Sequence, residues 1–395
     1  MTDPTRSPQP TRRQMLQWAA SAVGAQVAAP FLNRGRYRLS AQSAREYSAR
    51  CVDLVRGSLV IDMLCPLTLS GERQERWGPD GAGFTSADFE EFRSSEIDVM
   101  HIATGVGGRD TEQAHVNVLR FVSGYLSLIA NRPDVFLRID EVADFDRVRE
   151  QERVGILIGL QNSEHFRTPD DVALFHALGQ RVSQLTYNAR NRIGNGSTER
   201  VDGGISDFGV AVIGKMNEVG MAVDVSHCGD RTTLDAFEIS SKPVLITHSN
   251  CRALAPGHPR CKTDEAIRAV GRAGSVMGIT NVRMFVKNDE PTTIEHLLDH
   301  FDHVRDLIGP EHLGVGSDID LHGYDDMPAE QNARLRAGYK GSYGFRDKID
   351  IEGVDHPQRM FDLTEGLIRR GYTDDHIRGI LGGNFRRVLG EIWTV

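Results

Sequence analysis

The sequence predicts an α/β fold, a TIM-like (β/α)8 barrel. Three observations support this prediction: eight short runs rich in β-branched and other apolar residues, amphipathic segments between them, and polar residues where the runs end. The chain has 395 residues, enough for such a barrel, which usually takes about 250. A doubly wound open sheet is the alternative, but no glycine-rich dinucleotide fingerprint follows the first run.

The eight runs are the candidate strands. They alternate with segments whose apolar residues recur at intervals of three and four, as in FGVAVIGKMNEV and TIEHLLDHFDHVRDLI, a pattern typical of helices. A barrel of this class keeps its functional residues at the carboxyl ends of its strands, so polar side chains there are the candidates for a site. In chain order the runs span 58–64, 97–105, 154–162, 181–188, 220–227, 243–250, 274–281 and 312–320.

The first 40 residues differ in composition from the rest of the chain. The stretch TRRQMLQWAASAVGAQVAAP places Arg12 and Arg13 before a weakly apolar, alanine-rich run, which is the layout of a twin-arginine export signal. An amphipathic helix with an incidental arginine pair is the alternative. We expect residues 1–40 to be an export signal and linker, residues 41–395 to form a single barrel domain, and the mature protein to be periplasmic or extracellular.

Charge and cysteine content exclude several classes of protein. A formal net charge of -9 argues against a nucleic-acid partner, because phosphate-binding surfaces need clustered Lys and Arg. The N-terminal apolar run is too short for a stable membrane span, which takes about 20 apolar residues. The five cysteines show no CxxC spacing, so neither a zinc ribbon nor a dense disulfide framework is indicated. We expect a small-molecule substrate, and a homodimer is compatible with the sequence.

Three residues with metal-binding side chains end predicted strands. His227 ends DVSH, His248 lies in LITHSN one βα unit later, and Asp318 lies in GVGSDID at the last strand. Two histidines and a carboxylate are a common ligand set for a divalent metal, zinc above all. For any one of these histidines, a hydrogen-bonded structural role is the alternative.

Several long motifs carry a resemblance to a known family. They are SQLTYNARNRIGNGS, the block from VDGG to CRAL at 201–254, HPRCKTDEAIRAVGRAGSVMGIT, GVGSDID and GGNFRRVLGEIW. Together they resemble the membrane (renal) dipeptidases, peptidase family M19, from about residue 55 to the end. The resemblance implies an amidohydrolase-like barrel of the metal-dependent hydrolase type, which cleaves small peptides and related amides with two zinc ions bridged by a glutamate.

The resemblance assigns roles to individual residues. His227 and His248 match the two histidines that hold the second zinc. Arg252 matches the arginine that receives the substrate's carboxylate, a role that suits the bidentate guanidinium fork. Asp318 matches the aspartate beside the first metal that moves protons during hydrolysis.

Other positions depart from the family's pattern. Leu64 and Pro66 stand where the family has a histidine and an aspartate that bind the first zinc, and neither can ligate a metal. Gln161 stands at the bridging glutamate, and its amide makes it a weaker candidate ligand. We therefore predict a remodelled site with one divalent metal, zinc foremost, on His227 and His248 with Asp318 in or near the ligand shell. The same site without metal is the second model.

The strand end at LTYN supplies two further candidates. Tyr187 stands where the family has a histidine that contacts the reacting carbonyl, so it is predicted to donate a hydrogen bond to a developing oxyanion, or else to pack in the pocket wall. Asn188 follows it and is expected to contact the substrate. Cys65, Glu164 and His165 lie near the lost ligands in sequence, but plainer roles in the core or a loop are favoured.

Three functions are compatible with these residues. The first is an exported dipeptidase-like hydrolase acting on a small carboxylate-bearing amide, with true dipeptidase activity open. The second is a non-hydrolytic enzyme on the same barrel, a lyase, decarboxylase or isomerase, that uses Asp318 and Tyr187 for proton transfer. The third is a barrel that binds a small molecule without turnover.

Overall fold

The structure is a computed structural model and describes residues 35–39, 45–325 and 327–394. The chain divides into two units, Met1–Asp53 and Leu54–Val395. In the described part of the first unit, strands β1 (Arg36–Tyr37) and β2 (Tyr47–Ser48) pair antiparallel. The arginine pair of the predicted export signal lies outside the described residues.

The second unit contains a closed barrel of parallel strands. Eight of its strands form the ring in the order β3-β4-β6-β7-β8-β9-β10-β11, and β11 pairs back with β3, while β5 pairs only with β6 outside the ring. The predicted TIM-like (β/α)8 barrel is therefore confirmed, and each predicted run overlaps one ring strand. The strands are β3 (Ile61–Asp62), β4 (Val99–Ile102), β5 (Phe136–Arg138), β6 (Val154–Leu160), β7 (Gln180–Gln184), β8 (Ala222–Asp224), β9 (Val244–Ser249), β10 (Met277–Ile279) and β11 (Leu313–Val315).

Helices follow the strands along the chain. In the described residues they are α1 (Ala49–Gly57), α2 (Gly71–Trp77), α3 (Ser86–Ser94), α4 (Thr111–Asn131), α5 (Ala143–Glu150), α6 (Asp171–Ala177), α7 (Asp207–Val219), α8 (Asp230–Ile239), α9 (Asp264–Arg272), α10 (Arg283–Val286), α11 (Ile294–Ile308), α12 (Ala329–Ala337), α13 (Arg359–Arg369), α14 (Asp374–Arg378) and α15 (Asn384–Trp393). Short 3-10 turns cover Pro310–His312 and Gly341–Tyr343, and a π-helical turn covers Gly379–Gly383. No helix among the described residues has the length and apolar character that crossing a membrane requires.

Helix α7 shows how the sequence sets these elements. The Ser206 side chain accepts a hydrogen bond from the Gly209 amide at its start, and Gly220 ends it in the left-handed conformation at φ 77°. Between these caps the periodic apolar residues, including Val212 and Met216, are buried. The amphipathic pattern of this segment therefore became a helix with one face in the core.

An apolar core joins the strands to the C-terminal helix. Val388 and Leu389 of α15 belong to the same buried cluster as Ile61, Val99 and Leu157 of the strands. Burying each such side chain contributes about 1.5 to 3 kcal/mol. This packing gives the polar strand ends a rigid support.

Candidate active site

Two imidazoles meet at the ends of neighbouring strands. His227 comes three residues after β8 and His248 lies within β9. Their Nε2 atoms lie 3.0 Å apart, and both side chains are buried. The structure thus brings together the two histidines that the sequence singled out.

The partners of the other ring nitrogens set the tautomers. Nδ1 of His248 lies 2.8 Å from Oγ1 of Thr247, and that hydroxyl donates to Asp224 at 2.7 Å, so it accepts from His248. Nδ1 of His227 lies 2.8 Å from Oδ1 of Asn188, which also can only accept. With both protons on Nδ1, the two Nε2 lone pairs face each other. Such lone pairs attract a cation between them.

The amide of Asn188 offers a second self-consistent arrangement. Its Oδ1 also accepts from Ser197, while its Nδ2 is buried and has no partner among the described residues. A 180° rotation would let Nδ2 donate to Nδ1 of His227, whose proton would then lie on Nε2 and be donated to His248. That network needs no metal. The orientation of one amide therefore separates a metal-binding site from a metal-free one.

A buried arginine lies beside the histidine pair. Arg260 is 1% exposed, and its Nη2 donates to the carbonyl of His248 at 2.9 Å. Burial lowers the pKa of His227 and of His248 well below the ordinary value, and the charge of Arg260 lowers both further. Within the described chain Arg260 forms no ion pair with a carboxylate, and its Nε has no partner. Its terminal nitrogens donate to the carbonyls of Ser226 and His248, so its charge acts on the site from a buried position.

Asp318 occupies the end of the last strand. Its backbone is left-handed at φ 62°, and its amide donates to the carbonyl of Leu64 at 2.8 Å. Its Oδ1 lies 3.5 Å from the hydroxyl of Tyr324. Burial raises the pKa of this carboxyl to about 7. A group that titrates near neutral pH can both accept and donate a proton during a reaction.

A cavity of about 860 Å³ opens onto Asp318, Tyr187 and Gln161. Neither His227 nor His248 lines it. The ring of Tyr187 stacks on that of His227, with centroids 4.2 Å apart, and so lies between this imidazole and the cavity. The hydroxyl of Tyr187 lies 2.5 Å from that of Tyr339. Tyr187 therefore belongs to the cavity wall and covers the histidine side of the site.

The first strand's end has an ion pair below apolar residues. Asp62 pairs with Arg359 at 3.0 Å, with both side chains buried. Nη2 of Arg359 also donates to Sγ of Cys65 at 3.2 Å, and burial raises the pKa of this thiol. A neutral thiol is a poor metal ligand. Leu64 and Pro66 line the cavity above this pair.

Other candidates turn out to have structural partners. Arg252 pairs bidentately with Asp230 at 2.6 and 2.7 Å and does not line the cavity. Its placement does not support the expected carboxylate contact. Asn188 contacts His227 and orients it, and does not line the cavity either. His165 is buried between polar groups, and burial lowers its pKa to about 3.

Sequence reasoning did not single out Arg260, although it lies in the quoted motif HPRCK. The same motif contains Lys262, whose Nζ donates to the carbonyls of Val225 and Cys228 at 2.7 and 2.9 Å. Burial lowers the pKa of Lys262 to about 8. The sequence did contain a signal for this cluster. Arg260 and Lys262 are basic residues two positions apart, in the segment that follows the strand containing His248.

The residues fit one cation better than two. In the part of the chain that the structure describes, no three His, Cys, Asp or Glu side chains come together as a metal site, so Asp318 does not complete a set with the histidines. Gln161 donates its amide to the carbonyl of Ala103 at 3.1 Å. A cation between the Nε2 atoms of His227 and His248 would take its remaining ligands from water or substrate.

Comparisons with known proteins agree on one family. The model of the membrane dipeptidases, peptidase family M19, matches residues 48–334. Dipeptidase verJ of Clonostachys rogersoniana is 30% identical over 246 residues, 62% of this chain and 56% of that protein. Dipeptidase tcpJ of Claviceps purpurea is 26% identical over 322 residues, 80% of this chain and 68% of that one. The match therefore spans little more than half the length of verJ.

Solved structures show the same fold. An amidohydrolase from Pseudomonas aeruginosa superposes with a TM-score of 0.73 at 27% identity, covering 87% of this chain and 99% of that one. The barrel, the quoted motifs and the family match over more than half of the sequence lead to one conclusion. The chain belongs to the membrane dipeptidase family, peptidase family M19.

Proposed function

We propose that this protein is an exported, metal-dependent hydrolase that cleaves a small carboxylate-bearing amide. The observation that carries the proposal is the pair of Nε2 atoms of His227 and His248, 3.0 Å apart, with Nδ1 acceptors that direct their lone pairs toward each other. Metal dependence is general in the family. The pair suits one divalent ion, with zinc the best match to imidazole ligands.

A cation held by His227 and His248 would supply Lewis-acid polarisation of the scissile carbonyl, which would have to reach it past the ring of Tyr187 that covers His227. The chain's own residues do the rest. Arg260 does not line the cavity, but it is a buried guanidinium without a carboxylate partner among the described residues, so it attracts the substrate's carboxylate from behind the cavity wall. Tyr187 donates its hydroxyl to the carbonyl oxygen as charge develops there. Asp318 takes a proton from the attacking water and returns it to the leaving amine.

The hydrolase proposal is tested by an activity screen with metal content measured in parallel. Carboxylate-bearing amides and lactones are offered to the purified protein before and after chelation. We expect hydrolysis of at least one amide class, loss of activity on chelation and recovery with zinc. Turnover that survives complete removal of metal would contradict the metal-dependent reaction.

A second candidate function is a proton-transfer reaction without metal. It is favoured by one observation: Asp318 and Tyr187 line the cavity, whereas neither histidine of the pair does. The test follows deuterium from solvent into carboxylate substrates with chelated protein. Exchange that disappears in Asp318→Asn would support this candidate, and no exchange in any substrate would exclude it.

Export is a separate part of the proposal. A reporter fused to residues 1–40 should reach the periplasm only when Arg12 and Arg13 are intact, because the twin-arginine route recognises the pair. Export that survives their replacement by lysine would contradict the assignment.

A further inference from the structure

The volume of the cavity that Asp318 lines is much larger than the volume of the amide group to be cleaved. Its volume of about 860 Å³ lies in the range of pockets that bury a drug-sized ligand, about 300 to 1,000 Å³. A single small amide would leave most of it to water. The residues that line the cavity therefore indicate the chemistry of the part of the substrate that does not react.

One wall is an apolar stripe of helix α4. Phe121, Tyr125 and Leu128 are spaced by four and three residues, so they share a helix face, and all three line the cavity. The rings of Phe121 and Tyr125 meet edge to face with centroids 5.0 Å apart. Trp77, from the end of α2, lines the same cavity.

The opposite wall comes from the segment after the last barrel strand. Met327, and Leu335 of α12, line the cavity together with Tyr339. Tyr339 ties this segment to the barrel through its hydroxyl contact with Tyr187. Two apolar walls on separate elements thus face one cavity.

The charges of the lining residues determine whether the cavity suits a substrate with an ammonium group. Among the described lining residues, Asp318 is the only carboxyl, and Leu64, Pro66 and Gln161 bring no charge. The lining also has two cations: Arg120, which is exposed, and Arg334, which is paired with the exposed Glu330. A free dipeptide carries an ammonium group beside the amide to be cleaved, and burying that charge without an anionic partner is costly. Asp318 cannot serve as this partner while it transfers the reaction's proton.

Resting on the proposed function, we infer that the substrate is an N-acyl amino acid with a large apolar acyl group, medium-chain alkyl or aryl. The acyl group lies between α4 and the Met327–Leu335 side of the cavity, and the amino acid's carboxylate lies toward the side behind which Arg260 is buried. Water adds to the amide carbonyl, the C–N bond breaks, and the products are the free carboxylic acid and the amino acid. The neutral amide nitrogen removes the need for an anionic partner.

The test uses the full chain and compares substrates that carry different acyl groups on one amino acid. N-acetyl-, N-butanoyl-, N-octanoyl- and N-phenylacetyl-alanine are measured beside the free dipeptide Leu-Ala. Each fully buried methylene should raise kcat/KM about fourfold, so burial of half of the additional methylenes of octanoyl should make it exceed acetyl by about 60-fold. A flat series, or a preference for the free dipeptide, would overturn the inference.

Variants of the wall locate the effect. Phe121→Ala and Leu128→Ala should lower kcat/KM for the octanoyl substrate about tenfold more than for the acetyl substrate. Leu174→Ala is the matched control, because Leu174 is 44% exposed and does not line the cavity. Thermal unfolding of each variant separates a lost contact from a lost fold. Equal losses for both substrates in a folded variant would count against the acyl site.

Binding separates this inference from the proposed hydrolase. Calorimetry with chelated protein measures the affinity for N-octanoyl- and N-acetyl-alanine without turnover. Tighter binding of the octanoyl compound that needs Phe121, without hydrolysis under any metal condition, would refute the hydrolase and leave the acyl site standing. Hydrolysis with no dependence of affinity on chain length would refute the acyl site alone.

Discussion

The two sides of the barrel mouth are built from different chemistry. On the side of β8 and β9, two imidazoles, a guanidinium and a buried ammonium lie among hydrogen-bonded backbone carbonyls. On the side of β3, β4 and β6, the cavity is walled by Leu64, Pro66 and the amide of Gln161. The first side retains groups that bind cations and anions. The second side presents uncharged side chains to the cavity.

The buried carboxylate on the β3 side of the barrel mouth is compensated by hydrogen-bond donors. Asp62 accepts hydrogen bonds from the Ser317 hydroxyl at 2.6 Å and from Arg359 at 3.0 Å. A buried carboxylate without such partners would destabilise the fold by several kcal/mol. The carboxylate of Asp62 is therefore paired, and Leu64 and Pro66 line the cavity on this side.

The largest expected effect is on the histidine side. His248→Ala removes one of two imidazoles and should lower kcat/KM by about 1,000-fold or more, because the cation loses half of its protein ligands. Steady-state kinetics with metal analysis of the variant measures this. His376→Ala, in helix α14 beside Tyr372, is the control. Unchanged rates in His248→Ala would break the assignment of chemistry to this side.

Asp318 lies at the end of the last barrel strand, and its substitution should have the second largest effect on activity. Asp318→Asn should lower kcat by about 100- to 10,000-fold, the usual contribution of a proton-transfer group. The ionised form is the base, and burial raises its pKa to about 7, so wild-type kcat/KM should fall about tenfold per pH unit below that value. A pH profile that is flat between pH 5 and 7 would contradict this role.

The two arginines provide a matched pair. Arg260→Met should raise KM for a carboxylate substrate by about tenfold, because it removes a buried positive charge behind the cavity wall. Arg252→Met should leave KM unchanged and reduce stability by about 1 kcal/mol or less, because its pair with Asp230 is partly exposed. Kinetics and thermal unfolding of both variants decide the question. The reverse result would restore the role that the sequence assigned to Arg252.

The smallest effect should come from the tyrosine pair. Tyr339→Phe removes the hydroxyl that lies 2.5 Å from that of Tyr187 and keeps the ring in the cavity wall. One neutral hydrogen bond contributes about 0.5 to 1.5 kcal/mol, so kcat/KM should change by about 2- to 10-fold. A loss as large as that of Asp318→Asn would make Tyr339 part of the reaction itself.

Sequence patterns predicted the barrel strands and the polar residues at their ends, because both depend on local periodicity. All eight ring strands and the placement of His227 and His248 at neighbouring ends follow from runs of apolar residues and their order. The family motifs also located Asp318 at the last strand, where it lines the cavity. These features need no knowledge of which distant side chains meet.

Features that depend on distant contacts could not be predicted. Arg252 and Arg260 lie eight residues apart in one loop, and the spacing does not reveal that Arg252 pairs with Asp230, 22 positions earlier, or that neither arginine lines the cavity. Asn188 orients His227 across 39 positions, which spacing alone does not reveal. The structure of the cavity wall around Tyr339 likewise depends on a segment 152 positions after Tyr187.

The most direct test of the contrast between the two sides is the number and place of bound metal ions. Anomalous diffraction from crystals of the zinc-loaded protein, with metal analysis of the same sample, measures both. We predict close to one equivalent and a single peak between the Nε2 atoms of His227 and His248. A second equivalent with a peak beside Leu64 and Gln161, or full activity with no peak at all, would contradict the account.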